Sequence, residues 1–241
     1  MDLYKKKKAV CNEDLEKEYG RHWLWASLDP ESKLVINLFI GQRTLEDCKV
    51  FIKDLISRIQ TKPLFTSDEL PHYRTALAEQ FSHLENRPKS GKRGRPKKPK
   101  LVIDPELKYA TVHKTRDNGK VVKVERNIIF GDPRLIYQTI EASKTSDTIN
   151  TSFIERANLT LRNHNRKLTR RTLCFAKIKQ ALVAQTNIVV TYYNFSKPHR
   201  SLTLKSCIGK RIKRTPAMAA KLIDRIWPLS EILAYPLTIT R

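Results

Sequence analysis

Two carboxylates stand out by where they fall in the chain. Asp68 closes a short apolar run, Pro63-Leu-Phe-Thr-Ser-Asp68, so it reads as an acid at the end of a strand, where α/β folds place chemistry. A helix N-cap is the alternative role for it. Glu155 opens the basic stretch Asn150 to Lys177. Thr151 or Ser152 can cap a helix there, and Glu155 falls in the first turn, where the helix dipole favours a negative charge. At about 100° per residue, Glu155, Leu159, Arg162 and Arg166 project within roughly 40° of one direction. A carboxylate and two guanidiniums on one face suit a metal ion beside a phosphate backbone. Pairing of Glu155 with Arg162 on an ordinary helix is the competing reading.

The composition points to a polyanionic partner. Lys and Arg number 47 against 24 Asp and Glu, a formal net charge of +23, and an excess of that size marks nucleic-acid binding. With 241 residues and 40% hydrophobic content, the chain can bury a core in one large domain or one domain with an insertion. No apolar run reaches the length of a membrane span, and Met1 to Lys8 lacks the apolar centre of a secretory signal. The expected location is cytoplasmic, with no membrane partner. Cys11, Cys48, Cys174 and Cys207 have neither Cys-x-x-Cys nor finger-like spacing, so reduced thiols are expected rather than disulfides or zinc ligands.

The elements that must position the two acids can be read in order. His22–Leu28 and Lys33–Ile40 are strand-like and flank the turn Asp29-Pro30-Glu31-Ser32. Thr44, with Asp47 three residues on, caps a helix carrying Leu45, Cys48, Phe51, Ile52, Leu55, Ile56 and Ile59. Glu69 to Tyr73 opens another helix. Arg87 to Lys100 is rich in cations, without an anion or a periodicity, and reads as a solvated loop. Its Arg93-Gly94-Arg95-Pro96, followed by Lys97, resembles a minor-groove peptide; a nonspecific phosphate-binding loop is the other reading. Leu107–Lys114 and Lys120–Phe130 flank Asp117-Asn118-Gly119, a hairpin signal. Leu135–Ser143 reads as a short helix, and Ile178 to Tyr192 continues a helical stripe. Beyond it, Lys197, His199 and Arg200 follow a pair of tyrosines. Thr215 to Trp227 reads as a Pro-initiated helix with Trp227 as a docking anchor.

Taken together, Ser-Asp68, Thr-Ser-Phe-Ile-Glu155-Arg-Ala-Asn-Leu-Thr-Leu-Arg, Arg-Thr-Leu-Cys-Phe-Ala-Lys and Tyr-Tyr-Asn-Phe-x-x-Pro-His-Arg-Ser-Leu resemble bacterial insertion-sequence transposases of the insertion-sequence-one type. Trp-Leu-Trp-x-x-Leu-Asp, Gly-x-Arg-Thr and Thr-Pro-Ala-Met-Ala-Ala extend the likeness over the chain from His22 onward. The resemblance implies an α/β, ribonuclease H-like mixed sheet with flanking helices, a basic loop and β-hairpin insertion, and a helical C-terminal region. It implies Asp-Asp-Glu chemistry on two Mg²⁺ or Mn²⁺ ions, with Asp68 as the second acid, Glu155 as the third and 155 − 68 = 87 residues between them. Arg156, Asn158, Arg162 and Arg166 become DNA contacts, joined by Arg93, Arg95, Lys97, His199 and Arg200. The first acid is expected upstream of Met1, because Lys5 to Lys8 match the turn that follows it in relatives; Asp2 is the nearest acid present. The chain is therefore read as an active transposase or as a fragment of one, with a noncatalytic basic DNA-binding protein as the alternative. Segments 1–85 and 132–202 are assigned to the catalytic domain, 86–131 to the insertion and 203–241 to a basic helical tail. Insertion-sequence ends and target DNA are the implied partners, with a homo-oligomeric synaptic complex and nucleoid association.

Overall fold

The computed structural model describes residues 22–85, 99–169, 173–174, 176, 178–205 and 209–234. They form a mixed α/β structure with seven α-helices among the described residues and four small sheets. The chain divides into two compact units. One runs from Thr44 to Thr151; the other joins the chain before Thr44 to the chain from Ser152 onward.

In the discontinuous unit, β1 (Trp23–Leu28) pairs antiparallel with β2 (Val35–Gly41). The turn between them is fixed by Asp29, whose carboxylate accepts from the Ser32 amide at 2.9 Å and also from the Ser32 hydroxyl. Asp29 is thus a turn-former, as Asx chemistry at such a corner requires. Directly opposed residues share a face of the ribbon, so Leu24 with Ile40 and Ala26 with Leu38 look the same way. That face is covered by Leu168, Leu182 and Val183. Val35, Leu28 and Leu38 pack with Leu161, Tyr193, Val189 and Val190. The covering residues come from α4 (Ser152–His164), a 3₁₀ turn at Arg166–Leu168, α5 (Lys179–Thr191) and, for Tyr193, the turn that follows α5.

The basic helix is shorter than its sequence pattern. It stops at His164 because Asn165, fully buried, turns its side chain to the Lys167 amide (3.1 Å) and to the Thr186 hydroxyl (3.2 Å). Side-chain bonding of this kind competes with helical bonding. After α5, a π-turn at Tyr192–Ser196 changes the phase of the chain and buries both Tyr193 and Asn194. The C-terminal region then holds a hairpin, β8 (His199–Lys205) with β9 (Arg211–Arg214). The Thr215 hydroxyl caps α6, but this helix spans only Pro216–Ala219, shorter than the expected run to Trp227. A last helix, α7, covers Leu229–Ala234. Trp227 does anchor this region, its ring 5.2 Å from Phe195 and its amide donating to the Phe195 carbonyl.

The continuous unit starts with α1 (Leu45–Arg58), capped by the Thr44 hydroxyl accepting from the Asp47 amide and burying Cys48, Phe51, Ile52 and Leu55. It leads to β3 (Leu64–Ser67) and α2 (Pro71–Gln80). Two short strands, β4 (Ser82–Glu85) and β5 (Lys100–Ile103), pair antiparallel on either side of the cationic stretch. β6 (Lys108–Asp117) runs parallel to β3 and antiparallel to β7 (Lys120–Phe130), giving a mixed three-stranded sheet. Asn118 and Gly119 both take positive φ (47° and 79°), the geometry of a tight primed turn. One face of the sheet, with Ala110, Val112, Leu64 and Ile128, is packed by Ile136 and Ile140 of α3 (Pro133–Glu141) and by Ile149. The opposite face carries Phe65, whose ring lies 5.8 Å from Phe81, and the buried Tyr109.

Candidate functional site

Asp68 sits just beyond the C-terminal end of β3, exposed. It does not cap α2. The N-cap of that helix is Leu70, without a side-chain cap bond; the Asp68 carboxylate lies 3.5 Å from the Leu70 amide, at the outer limit of a hydrogen bond. What surrounds Asp68 is a small polar corner. Ser67 Oγ and Tyr109 Oη are 2.8 Å apart, bridging β3 and β6. Burial pushes the Tyr109 hydroxyl up, against the pull of its bond to Ser67, and the Asp68 charge adds to the rise. Burial likewise pushes the Cys48 thiol up to about 12, and the Asp68 charge contributes again. A thiol raised so far is inert, a packing group rather than a nucleophile. Beside the corner, Glu69 Oε2 meets His113 Nδ1 at 2.7 Å.

Glu155 occupies the first turn of α4, exposed, as does Arg156. Ala157 and Leu161 are the residues this helix buries. Glu155 and the 57% exposed Leu159 therefore lie on the outer side, one turn apart. Arg162 is half-buried and its carbonyl accepts from the Thr169 hydroxyl. Arg166 does not continue the shared face, because the helix has ended and Arg166 belongs to the 3₁₀ turn, exposed. Asn158 is half-buried, and its Oδ1 has no hydrogen-bond partner among the described residues.

His199 and Arg200 lie on β8, where successive side chains point to opposite faces. The His199 ring packs edge-on against Tyr193, 4.6 Å between centroids, while Arg200 is exposed. Burial holds the His199 imidazole below its usual range, with Lys197 and then Lys33 adding to the effect. His164 is lowered for the same first reason, with Lys197 second; Lys197 Nζ is hydrogen-bonded to His164 Nε2. Lys33 Nζ stands 3.7 Å over the Phe153 ring. Lys33, His164, Lys197 and His199 thus form one basic neighbourhood. Its members come from β2's approach, the end of α4 and the start of β8, and no spacing in the sequence links them.

Asp2, Arg93, Arg95 and Lys97 fall outside the described residues. As ligands, Asp68 and Glu155 offer carboxylate oxygens, the donors a hard divalent cation takes. Asp68 belongs to the continuous unit and Glu155 to the discontinuous one. Among the described residues, no group of three or more His, Cys, Asp or Glu side chains is arranged to hold a metal ion. Also among them, no helix is long and apolar enough to cross a membrane.

No family model, no curated protein and no solved structure matches the chain.

Proposed function

We propose that this chain is a transposase of the insertion-sequence type, cutting and joining DNA strands with Mg²⁺ or Mn²⁺, for which Asp68 and Glu155 are each a candidate ligand. The observation that carries the reading is the placement of Asp68. It is an exposed carboxylate at the C-terminal end of a strand in a mixed sheet, and it is not used as a helix cap. Its one long bond from the Leu70 amide leaves most of its lone pairs open, and a hard cation takes such oxygens. The order of elements supports the same reading: hairpin, helix, acid-bearing strand, insertion, acid-bearing helix, as in a ribonuclease H-like catalytic domain. Bound divalent ions would activate the attacking water or 3′ hydroxyl and stabilise the leaving oxygen.

The chain's own residues divide the remaining work. Arg156, Asn158, Arg162 and Arg166, on or just after α4, hold phosphates near Glu155, and His199 and Arg200 extend that contact along β8. The partners are element ends and target DNA, and synapsis of two ends calls for a homo-oligomer on the bacterial nucleoid. A second reading is a noncatalytic basic DNA-binding protein, in which the net charge of +23 alone carries the contact with phosphates.

The two separate in a strand-cleavage and joining assay on end-containing duplex DNA with Mg²⁺, run beside a binding titration. Asp68→Asn and Glu155→Gln should abolish cleavage and joining and leave affinity without metal within about threefold. Wild-type binding with no cleavage in either metal would hand the case to the noncatalytic reading.

A further inference from the structure

In an antiparallel ribbon, the residues directly opposite each other share a face, so the register of β6 and β7 sorts their side chains. Val112 opposes Arg126, Lys114 opposes Val124, and, after a bulge that displaces Val122, Arg116 opposes Val121. On the other face His113 opposes Glu125, Thr115 opposes Lys123, and Asp117 opposes Lys120. Both acids of the hairpin are on this second face. There Glu125 takes Lys123 at 2.6 Å, and His113 meets Glu69. The first face carries four cations, Lys108, Lys114, Arg116 and Arg126, and no acid; Lys108, at its base, reaches the Thr139 hydroxyl. At its base it is core, with Val112 only 4% exposed, and Arg126 is tethered there by Nε donating to the Ile149 carbonyl at 2.8 Å. Further out the same face leaves the core and keeps apolar residues, Val121 and Val124, at 45% and 38% exposure.

Strand propensity accounts for valines in a ribbon. It does not account for the placing of every acid on one side.

We propose that the outer half of this hairpin is a duplex-DNA-binding ribbon that reads through one face, with Lys114 and Arg116 on the phosphates and Val121 and Val124 against sugars or base methyl groups. The proposal rests on the DNA partner argued above and adds the element and the face that meet it. A two-stranded ribbon fits the major groove, about 12 Å wide. The five residues from His113 to Asp117 reach about 17 Å at the usual rise per residue, enough to follow the groove beyond the body of the unit. The bulge at Val122 increases the local twist, as wrapping along a groove needs.

The test uses two variants of equal charge on opposite faces of one hairpin. Lys114→Ala/Arg116→Ala and Lys120→Ala/Lys123→Ala each take the formal charge from +23 to 23 − 2 = +21. Binding to a short duplex is followed by fluorescence anisotropy over a series of salt concentrations. The first variant should lose about tenfold or more in affinity and flatten the salt dependence by up to two phosphate contacts, a slope change of about 1.8. The second should change affinity by less than about threefold. Charge-preserving Lys114→Arg/Arg116→Lys should bind as wild type. Equal losses in the two Ala variants, or a larger loss in the second, would overturn the assignment of the face while leaving DNA binding intact. A wild-type chain that does not bind duplex at all would instead remove the DNA reading itself.

Discussion

Asn194 acts as a one-residue strand. Its carboxamide, chemically a peptide group on a side chain, accepts from the Val35 amide at 3.0 Å and donates to the Val35 carbonyl at 2.9 Å. Both residues are buried, Asn194 at 5% and Val35 at 3% exposure. Replacing Asn194 by Ala removes both bonds and leaves a buried N–H and a buried C=O unsatisfied. Each orphaned group costs about 1–3 kcal/mol, so the pair should cost about 2–6 kcal/mol. With a urea m-value of about 2 kcal/mol/M, the unfolding midpoint of the discontinuous unit should fall by about 1–3 M. Asn194→Asp keeps the acceptor but sets a carboxylate oxygen against the Val35 carbonyl, and should be at least as damaging. Hydrogen exchange at the Val35 amide gives a local readout, which should speed up in both variants. A midpoint shift corresponding to less than about 1 kcal/mol for Asn194→Ala, or an Asp variant as stable as wild type, would refute the reasoning.

Gly131 and Gly119 make a matched pair. Both have positive φ, but a Cβ on Gly131 would meet the Leu107 carbonyl oxygen at 2.8 Å, whereas one on Gly119 meets nothing within 4 Å. Gly119→Ala should cost about 1–2 kcal/mol of backbone strain, and Gly131→Ala clearly more; equal melting-temperature losses would contradict the packing argument. Acid should weaken the discontinuous unit through its histidines. His164 and His199 are held below the ordinary value by burial first and Lys197 second, so the unfolded chain binds their protons more readily. Their contribution is complete above the unfolded value of about 6.5 and is lost as pH falls from there toward the lowered folded values. Thermal midpoints between about pH 7.5 and pH 5.5 should decline in wild type and flatten in His164→Gln/His199→Gln. An unchanged slope in that double variant would sink the argument.

The elements that declare themselves in the sequence are those whose local chemistry and tertiary role agree. Thr44 with Asp47 marks the start of α1 and Asn118-Gly119 marks the β6–β7 turn; α3, expected over Leu135–Ser143, starts two residues earlier because the Asp132 carboxylate accepts from the Arg134 amide. The β4–β5 and β8–β9 pairs went unread for a physical reason. Ser-His-Leu-Glu and Arg-Ile-Lys-Arg bury almost nothing, so no period-2 alternation forms; they are strands because of their partners. The end of α4 at Asn165 was hidden for another reason, since the apolar pattern runs through it while a buried side-chain bond to Thr186 breaks the helix. Of the candidate site, Asp68 at a strand end and Glu155 in a first helical turn could be placed from sequence. The neighbourhood of Lys33, His164, Lys197 and His199 could not, because its members converge only through the fold.

The division of the chain also sets a timetable for its synthesis. Residues 44–151 are continuous, so that unit can fold as soon as its last strand and helix leave the ribosome. The β1–β2 hairpin is made first and completed last: Val35 waits for Asn194, 159 residues later. At about 5–20 residues per second, that delay is roughly 8–30 s. Through it Val35 and Ile40, both buried in the finished protein, lack the cover that Leu161, Leu168 and Leu182 give them. Slowing translation before Ser152 should therefore raise the demand for chaperones on this chain, and moving residues 22–43 to the C-terminal end by circular permutation should relieve it.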